Sequence, residues 1–262
     1  MRSPAETRLP AVRFVAETKA ILDQIEALSG RPVRFMEERD LPVLSTMQVA
    51  RDGASFHVLR YRPSDEPLDY RVAYQAAYTL RLFQCPEDAR FDFVPLPEAR
   101  AAARELVAAG MPLSDDEESA LGPFSAAIAD WALIQLRSLP VGMRIDQWIR
   151  ATMPVLRSQQ EAVISEVQQQ NLEATTKAVG RLTVPRHLAA TNAAHALFVD
   201  QLLGKEWFAI PYRAMGLTDD GQRLLALLDE VPPEPVRDRQ LVDRWADALG
   251  MRRWYRWAPY RP

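Results

Sequence analysis

The chain of 262 residues is short of the side chains on which many catalytic sites depend. It has one cysteine, Cys85, so it forms no internal disulfide and no zinc site with several cysteine ligands. Its three histidines, His57, His187 and His195, provide few imidazoles for metal binding or general-base catalysis. Glycine is also scarce, at ten residues, and neither a glycine-rich phosphate loop nor a Gly-x-Ser-x-Gly nucleophile elbow occurs.

Long apolar runs and a strong net charge are missing as well. No stretch reaches the roughly 18 uncharged apolar residues that a membrane span requires, and the N-terminus has no apolar signal region, so we expect a cytoplasmic protein without a membrane partner. The formal net charge of −3 gives no general attraction to nucleic acid, which we do not expect as a partner. Only three of the 32 basic residues are lysine, a bias typical of a GC-rich bacterial genome.

The apolar patterns that are present predict an α+β protein that is predominantly α-helical. A first amphipathic helix is predicted from about residue 11 to residue 29. Three short segments with strand character follow, at residues 33–36, 43–49 and 56–61. The Asp52-Gly53 pair predicts that the last two strands form a hairpin, and a second helix is predicted from about residue 68 to residue 83. These elements predict a small N-terminal sheet of about three strands with helices.

After Pro86 the sequence predicts helices almost to the end of the chain. Ser114 and Glu117 have the spacing of a capping box at a helix start. The other predicted helices cover residues 97–109 (closing at Gly110), 143–156, 155–179, 185–203, 218–228 and 236–249. We therefore expect an α/β module over residues 1–112 and a helical region over residues 113–262, with one continuous domain as the alternative.

The predicted helix over residues 155–179 is unusually polar. It is rich in glutamine and glutamate and has only a thin apolar stripe, formed by Leu156, Val163, Val167 and Ala174. At 1.5 Å per residue it would be about 37 Å long. A helix of this kind either bridges solvent or pairs with another chain, so we expect it to contribute to a protein interface, including one between copies of this chain.

The helix predicted over residues 68–83 contains the segment Tyr74-Gln75-Ala76-Ala77-Tyr78. With the preceding helix and strands, it resembles the core of zincin metallopeptidases, especially the IrrE/ImmA-like group. In that group the corresponding helix carries His-Glu-x-x-His. Two histidines four residues apart lie on one helix face, where they hold a zinc ion while the glutamate activates its water.

The three functional positions of that motif are altered in this chain. Tyr74 and Tyr78 replace the histidines and Gln75 replaces the glutamate. Tyrosine ionises near pH 10, and glutamine cannot accept a proton at neutral pH. The resemblance therefore implies a catalytically inactive pseudo-metallopeptidase that has no metal and no cofactor and binds a protein or peptide partner. The residues expected to line its vestigial groove are Tyr74, Gln75, Tyr78 and Arg81. The alternative is an unrelated α+β module whose helix has an ordinary amphipathic pattern.

The helix predicted over residues 185–203 carries two further candidates, Asn192 and His195. Their spacing favours a hydrogen-bonded core histidine beside an asparagine, with a polar pocket facing the Tyr74 helix as the alternative. That pocket is the basis of a second hypothesis, a non-metal enzyme in which Tyr74, Tyr78 and His195 converge and a tyrosine donates a proton. A third, a stress or DNA-associated regulator, rests on the family resemblance alone. His57 is expected to pack across strands.

The C-terminal segment, residues 251–262, interleaves four arginines with four aromatic residues and has no acidic residue. Such a segment could stack on bases and neutralise phosphates. It could also fold back and bury its aromatic rings, which we favour because exposed aromatic surface is costly in water.

Overall fold

The computed structural model describes residues 14–41, 43, 45–63, 68–108 and 112–262. Within these residues the protein is mainly helical with small sheets, which confirms the predicted fold class. The predicted helix start near Ala11 and the stop at Gly110 lie outside the described residues. The chain divides into two compact units, residues 1–83 with 261–262 and residues 84–260. Residue 112, the boundary expected from composition, lies within the second unit.

The described residues of the first unit form two helices and a three-stranded sheet. Its elements are α1 (Ala16–Ser29), β1 (Val33–Glu37), β2 (Ser45–Gln48), β3 (His57–Tyr61) and α2 (Asp69–Gln84). The strand order is β1-β3-β2, with β1 parallel and β2 antiparallel to β3. The predicted hairpin is thereby confirmed, and Asp52 and Gly53 both adopt positive φ, as the Asp-Gly turn signal predicts.

One face of this sheet packs against the helices. Along β3 the side chains alternate, so that His57, Leu59 and Tyr61 are buried while the residues between them are half-buried. Leu59 and Tyr61 form a hydrophobic cluster with Val72 of α2, and partly buried apolar residues of α1, β1 and β2 pack on it. This packing positions α2, which carries Tyr74, Gln75 and Tyr78, against the sheet.

The second unit is built mostly from helices. They are α3 (Glu98–Ala108), α4 (Asp115–Thr152), α5 (Arg157–Thr176), α6 (Arg186–Leu203), α7 (Ile210–Ala214), α8 (Thr218–Glu230) and α9 (Asp238–Ala248). Four short strands that the sequence patterns did not predict lie between or beyond them. They are β4 (Phe91–Pro95), β5 (Ala178–Val179), β6 (Leu182–Thr183) and β7 (Tyr255–Pro259).

The long helix α4 differs from the prediction. Its N-terminus has the predicted capping box, in which the Glu117 N–H donates to the Ser114 hydroxyl and the Ser114 N–H donates to the Glu117 carboxylate. The helix then runs unbroken for 38 residues, about 57 Å, through Pro123 and Pro140. The prediction of a separate helix over residues 143–156 was wrong, since residues 139–146 are buried and packing on all sides supports the helix past its second proline. Neither α4 nor any other helix of the described residues is long and apolar enough to cross a bilayer.

The C-terminal segment folds back, as favoured from the sequence. β7 pairs antiparallel with β4, and the Tyr260 N–H donates to the carbonyl of Arg90. Trp254, Tyr255 and Tyr260 are buried in the second unit. The cost of exposing these rings to water is thereby avoided.

Candidate functional site

The start of α2 is fixed by hydrogen bonds to α1. The Val15 N–H, at the N-terminal end of α1, donates to the carboxylate of Asp69 at 2.7 Å. The Thr18 hydroxyl, one turn into α1, lies 3.5 Å from the Asp69 carbonyl. Asp69 therefore joins the two helix N-termini, where its negative charge is favourable.

His57 joins the other end of α1 to the sheet. Its Nδ1 accepts the Ala50 N–H at 3.0 Å, so the proton of the neutral ring is on Nε2, which lies 3.0 Å from the Ser29 hydroxyl. Burial, and secondarily the charge of Arg31, lowers the pKa of His57 to about 4. We expected a cross-strand packing residue. The ring is instead a hydrogen-bonded link between the end of α1 and the loop after β2.

Among the strands that the structure describes, β2 is at the edge of the sheet, since it pairs only with β3. The Glu38 N–H donates to the carbonyl of Tyr61, and the His57 N–H donates to the carbonyl of Pro32. Because backbone groups alternate in direction along a strand, residues 57, 59 and 61 direct theirs toward β1. The residues between them, 58 and 60, face β2 and pair with Gln48 and Thr46. The backbone groups of Ser45 and Met47 therefore point away from the sheet, along its open edge.

Gln75 contacts this open edge. Its side-chain Nε2 donates to the carbonyl of Ser45 at 3.2 Å. The donor is an amide, and an ionised carboxylate at this position could not donate this bond. The Gln75 amide thus links α2 to the outward carbonyl of Ser45, the first residue of β2.

The candidate residues of α2 form one half-buried stripe. Tyr74, Gln75, Tyr78 and Arg81 are all partly exposed, whereas most of the intervening residues are buried. The rings of Tyr70 and Tyr74 lie 6.0 Å apart, and those of Tyr74 and Tyr78 lie 5.6 Å apart in an edge-to-face arrangement. The stripe is therefore an ordered aromatic surface that adjoins the edge of β2 through Gln75.

The chemistry available to this stripe is hydrogen bonding. Phenol hydroxyls donate and accept, an amide does both, and a guanidinium donates. Among the residues that the structure describes, no three side chains of His, Cys, Asp or Glu come together in a way that could hold a metal ion. The arrangement suits contact with a polar polypeptide backbone and with apolar side chains.

The second candidate pair, Asn192 and His195, belongs to a buried network in the second unit. His195 Nδ1 accepts from the side-chain amides of Gln168, at 3.0 Å, and Asn171, at 3.2 Å. Asn192 donates to the carbonyl of Asn171 and, at 2.8 Å, to the hydroxyl of Thr175. Burial lowers the pKa of His195 to about 4, so the ring is neutral at physiological pH. The expected hydrogen-bonded core histidine is found here.

This network corrects the interpretation of α5. Of the predicted stripe, Leu156 just before the helix is buried, whereas Val163, Val167 and Ala174 are only half-buried. The helix buries Gln160, Ile164, Gln168, Asn171 and Thr175 instead. These residues also have helical spacing, and none of them is charged, whereas the glutamates of the helix lie between them. An uncharged polar stripe was therefore the signal that sequence reasoning missed. The contact between copies expected through residues 155–179 stays a prediction.

The structure brings together some of the proposed residues and not others. Tyr74 and Tyr78 contact each other in the first unit. His195 belongs to the second unit, and its Nδ1 is already hydrogen-bonded. The convergence of all three on one pocket stays a prediction. Ser45 and Met47, which define the open edge, were not predicted as site residues; counting register from the Asp52-Gly53 turn was the available signal.

Comparison of the chain with models of protein families, with curated proteins and with solved structures finds no match. Function must therefore be argued from the site.

Proposed function

We propose that this protein is a catalytically inactive, zincin-like module of the cytoplasm that binds an extended polypeptide segment along β2. The observation that carries the proposal is the contact of Gln75 with the Ser45 carbonyl at the open edge of the sheet. This contact places Gln75, which corresponds to the catalytic glutamate of a zincin, beside the strand edge where a polypeptide could pair with β2. The half-buried stripe of α2 forms the wall beside that edge.

The backbone of β2 favours strand addition. Met47 directs both its N–H and its carbonyl outward, so one residue offers a donor and an acceptor to an added strand. Ser45 offers a carbonyl that Gln75 occupies, and an incoming N–H would compete with that amide. Edge strands with unpaired backbone groups bind other strands readily, and main-chain hydrogen bonds supply most of the affinity.

The side chains at the motif positions support binding without hydrolysis. Neither Tyr74 nor Tyr78 is an imidazole, and Gln75 cannot act as a general base at neutral pH. Metal analysis of the purified protein after equilibration with zinc and gel filtration tests this part. We expect much less than one zinc per chain. Stoichiometric zinc that is lost in Tyr74→Phe or Tyr78→Phe would contradict the proposal.

Peptide binding is tested by selecting binders from a displayed library of random linear peptides on the full-length protein. The selected peptide, labelled with fluorescein, is then titrated against Met47→Pro and Met47→Leu. Proline removes the outward N–H of Met47, whereas the ladder bonds to β3 are made by Thr46 and Gln48. We expect Met47→Pro to weaken binding about tenfold or more, the effect of losing one well-aligned bond with its neighbours.

Met47→Leu is the matched control, because it keeps the N–H and an apolar side chain of similar size. We expect it to bind the peptide within about twofold of the wild type. Hydrogen exchange of α2 in both variants checks that the first unit is folded. Equal binding by both variants, or a library that yields no binder, would contradict strand addition to β2.

A further inference from the structure

The aromatic rings of the C-terminal segment form a cluster with β4 in the second unit. Phe93 stacks on Tyr255 with ring centroids 4.3 Å apart, and Trp257 meets both rings edge-on. In the register of the strand pair, Phe93 lies opposite Trp257 and Phe91 opposite Pro259, so these side chains share one face of the ribbon. The cluster is a rigid base beneath the side chains of α9.

One carboxylate of α9, that of Asp243, is fully engaged with this cluster. Its Oδ1 accepts from the Tyr255 hydroxyl at 2.6 Å and from the Trp257 indole at 2.8 Å, and its Oδ2 lies 3.4 Å from Arg252. Burial and the bond to Asp243 raise the pKa of Tyr255 well above its usual range, so the phenol stays a donor. The negative charge of Asp243 is thus satisfied from within the protein.

Arg239 is held over the same cluster. Its guanidinium carbon lies 4.4 Å from the centroid of the Phe91 ring and 6.0 Å from that of Trp257. Stacking of this kind fixes the plane of the guanidinium but leaves its N–H groups at the edge available. Within the described part of the chain, Arg239 makes no ion pair with a carboxylate.

Two more arginines extend this basic surface. Arg237 lies at the start of α9 and Arg244 two turns later, with Gln240 between them on the same side. Both arginines are exposed; Arg244 is 3.8 Å from Glu230, a long contact between exposed groups, and no carboxylate of the described chain pairs with Arg237. These side chains line a shallow depression of ≈ 360 Å³.

The charges around this depression favour an anion. Three guanidinium groups line it, against Asp243, which is already satisfied, and Asp247 at its far end. Guanidinium groups bind phosphate through paired N–H···O bonds. Arg237 and Arg244 lie two helix turns apart, about 11 Å along the axis, and both line the depression. A phosphate monoester with two negative charges fits this set of donors better than a single carboxylate does.

We propose that the depression along α9 lined by Arg237, Arg239, Gln240 and Arg244 binds the phosphate group of a phosphorylated small molecule. The proposal is independent of the peptide-binding function assigned to the first unit. It also gives a role to the interleaved arginines and aromatics of the C-terminus, whose rings hold Arg239 and whose Arg252 helps to satisfy Asp243.

The test is calorimetric titration of the full-length protein with inorganic phosphate, with adenosine monophosphate and with a single-stranded oligothymidine, each in sodium chloride at matched ionic strength. We expect both phosphate compounds to bind, and the double variant Arg237→Ala, Arg244→Ala to weaken them about tenfold or more. The matched control is Arg253→Ala, Arg256→Ala, which removes the same charge from exposed residues outside the depression. It should bind as the wild type does.

Each other outcome overturns the proposal. If neither phosphate compound gave more heat of binding than a sodium chloride titration of equal ionic strength, the depression would have no affinity for phosphate. Equal loss in the two double variants would mean that only net charge matters. Binding of the oligothymidine without binding of either phosphate compound would indicate a nucleic-acid surface instead. Near-ultraviolet circular dichroism of the tryptophans, all of which lie in the second unit, verifies that both variants keep their fold.

Discussion

The candidate residues predicted from the sequence lie on two helices, α2 and α6, whose surroundings differ. On α2 the stripe of Tyr74, Gln75, Tyr78 and Arg81 is half-buried and adjoins an open strand edge. On α6, Asn192 and His195 are buried and bonded to side chains of α5. Polar residues at helical spacing can therefore have two roles. Which role they have depends on the element packed against the helix, and the spacing alone does not show it. One stripe is half-buried beside a strand edge and the other connects two helices.

The largest expected effect concerns the pH dependence of the stability of the second unit. The folded pKa of His195, about 4, lies below the value of about 6.5 in an unfolded chain. As pH falls from 6.5 to 4 the unfolded chain binds the proton first, so the free energy of unfolding of the second unit decreases, by up to about 3 kcal/mol from this ring. Denaturation followed by tryptophan fluorescence measures it, because all six tryptophans lie in that unit.

The variant His195→Asn is the control for that profile. Carboxylates titrate in the same range, so the quantity of interest is the difference in slope between variant and wild type. We expect a flatter profile between pH 6.5 and pH 4 for the variant, as its side chain does not ionise. Identical slopes would mean that His195 is protonated in the folded protein, contrary to its role as acceptor of two amides.

A smaller and more direct contrast comes from removing one amide on each helix. Asn192→Ala deletes two buried hydrogen bonds and should destabilise the second unit by about 2 kcal/mol, measured by tryptophan fluorescence. Gln75→Ala removes one half-buried bond that water can replace, so hydrogen exchange in α2 should report a loss below about 1 kcal/mol. Gln169→Ala, on the exposed side of α5, is the control and should change stability by less than about 0.5 kcal/mol.

The comparison fails if Gln75→Ala costs as much as Asn192→Ala. The stripe on α2 would then be part of the structural core of the first unit, as it is in the alternative of an ordinary amphipathic helix. A smaller loss of stability for Gln75→Ala than for Asn192→Ala supports a surface on which the bond of Gln75 can be replaced by a bond to a ligand.

Local signals in the sequence predicted local structure well. The capping box of Ser114 and Glu117 and the Asp52-Gly53 turn depend on residues close together in the chain, and both are present. The buried side of α5 could not be found in this way, since Gln168 and Asn171 are buried only because His195 lies opposite them. The strand β4 was missed for a similar reason: its partner β7 is more than 150 residues away in the chain.

The candidate site was predicted in part. Helical spacing places Tyr74, Gln75, Tyr78 and Arg81 in one half-buried stripe of α2, while the groove expected there stays a prediction. The partner of that stripe, the outward backbone of Ser45 and Met47, depends on strand order and register. These are tertiary properties, which the periodicity of a single segment does not contain.

The central claim is that an added peptide strand binds the outward backbone of β2. Its most direct test is the affinity of the selected peptide for Met47→Pro relative to Met47→Leu. We expect the proline variant to bind about tenfold or more weakly while both variants keep the exchange protection of α2. Equal affinity for the two variants would contradict it.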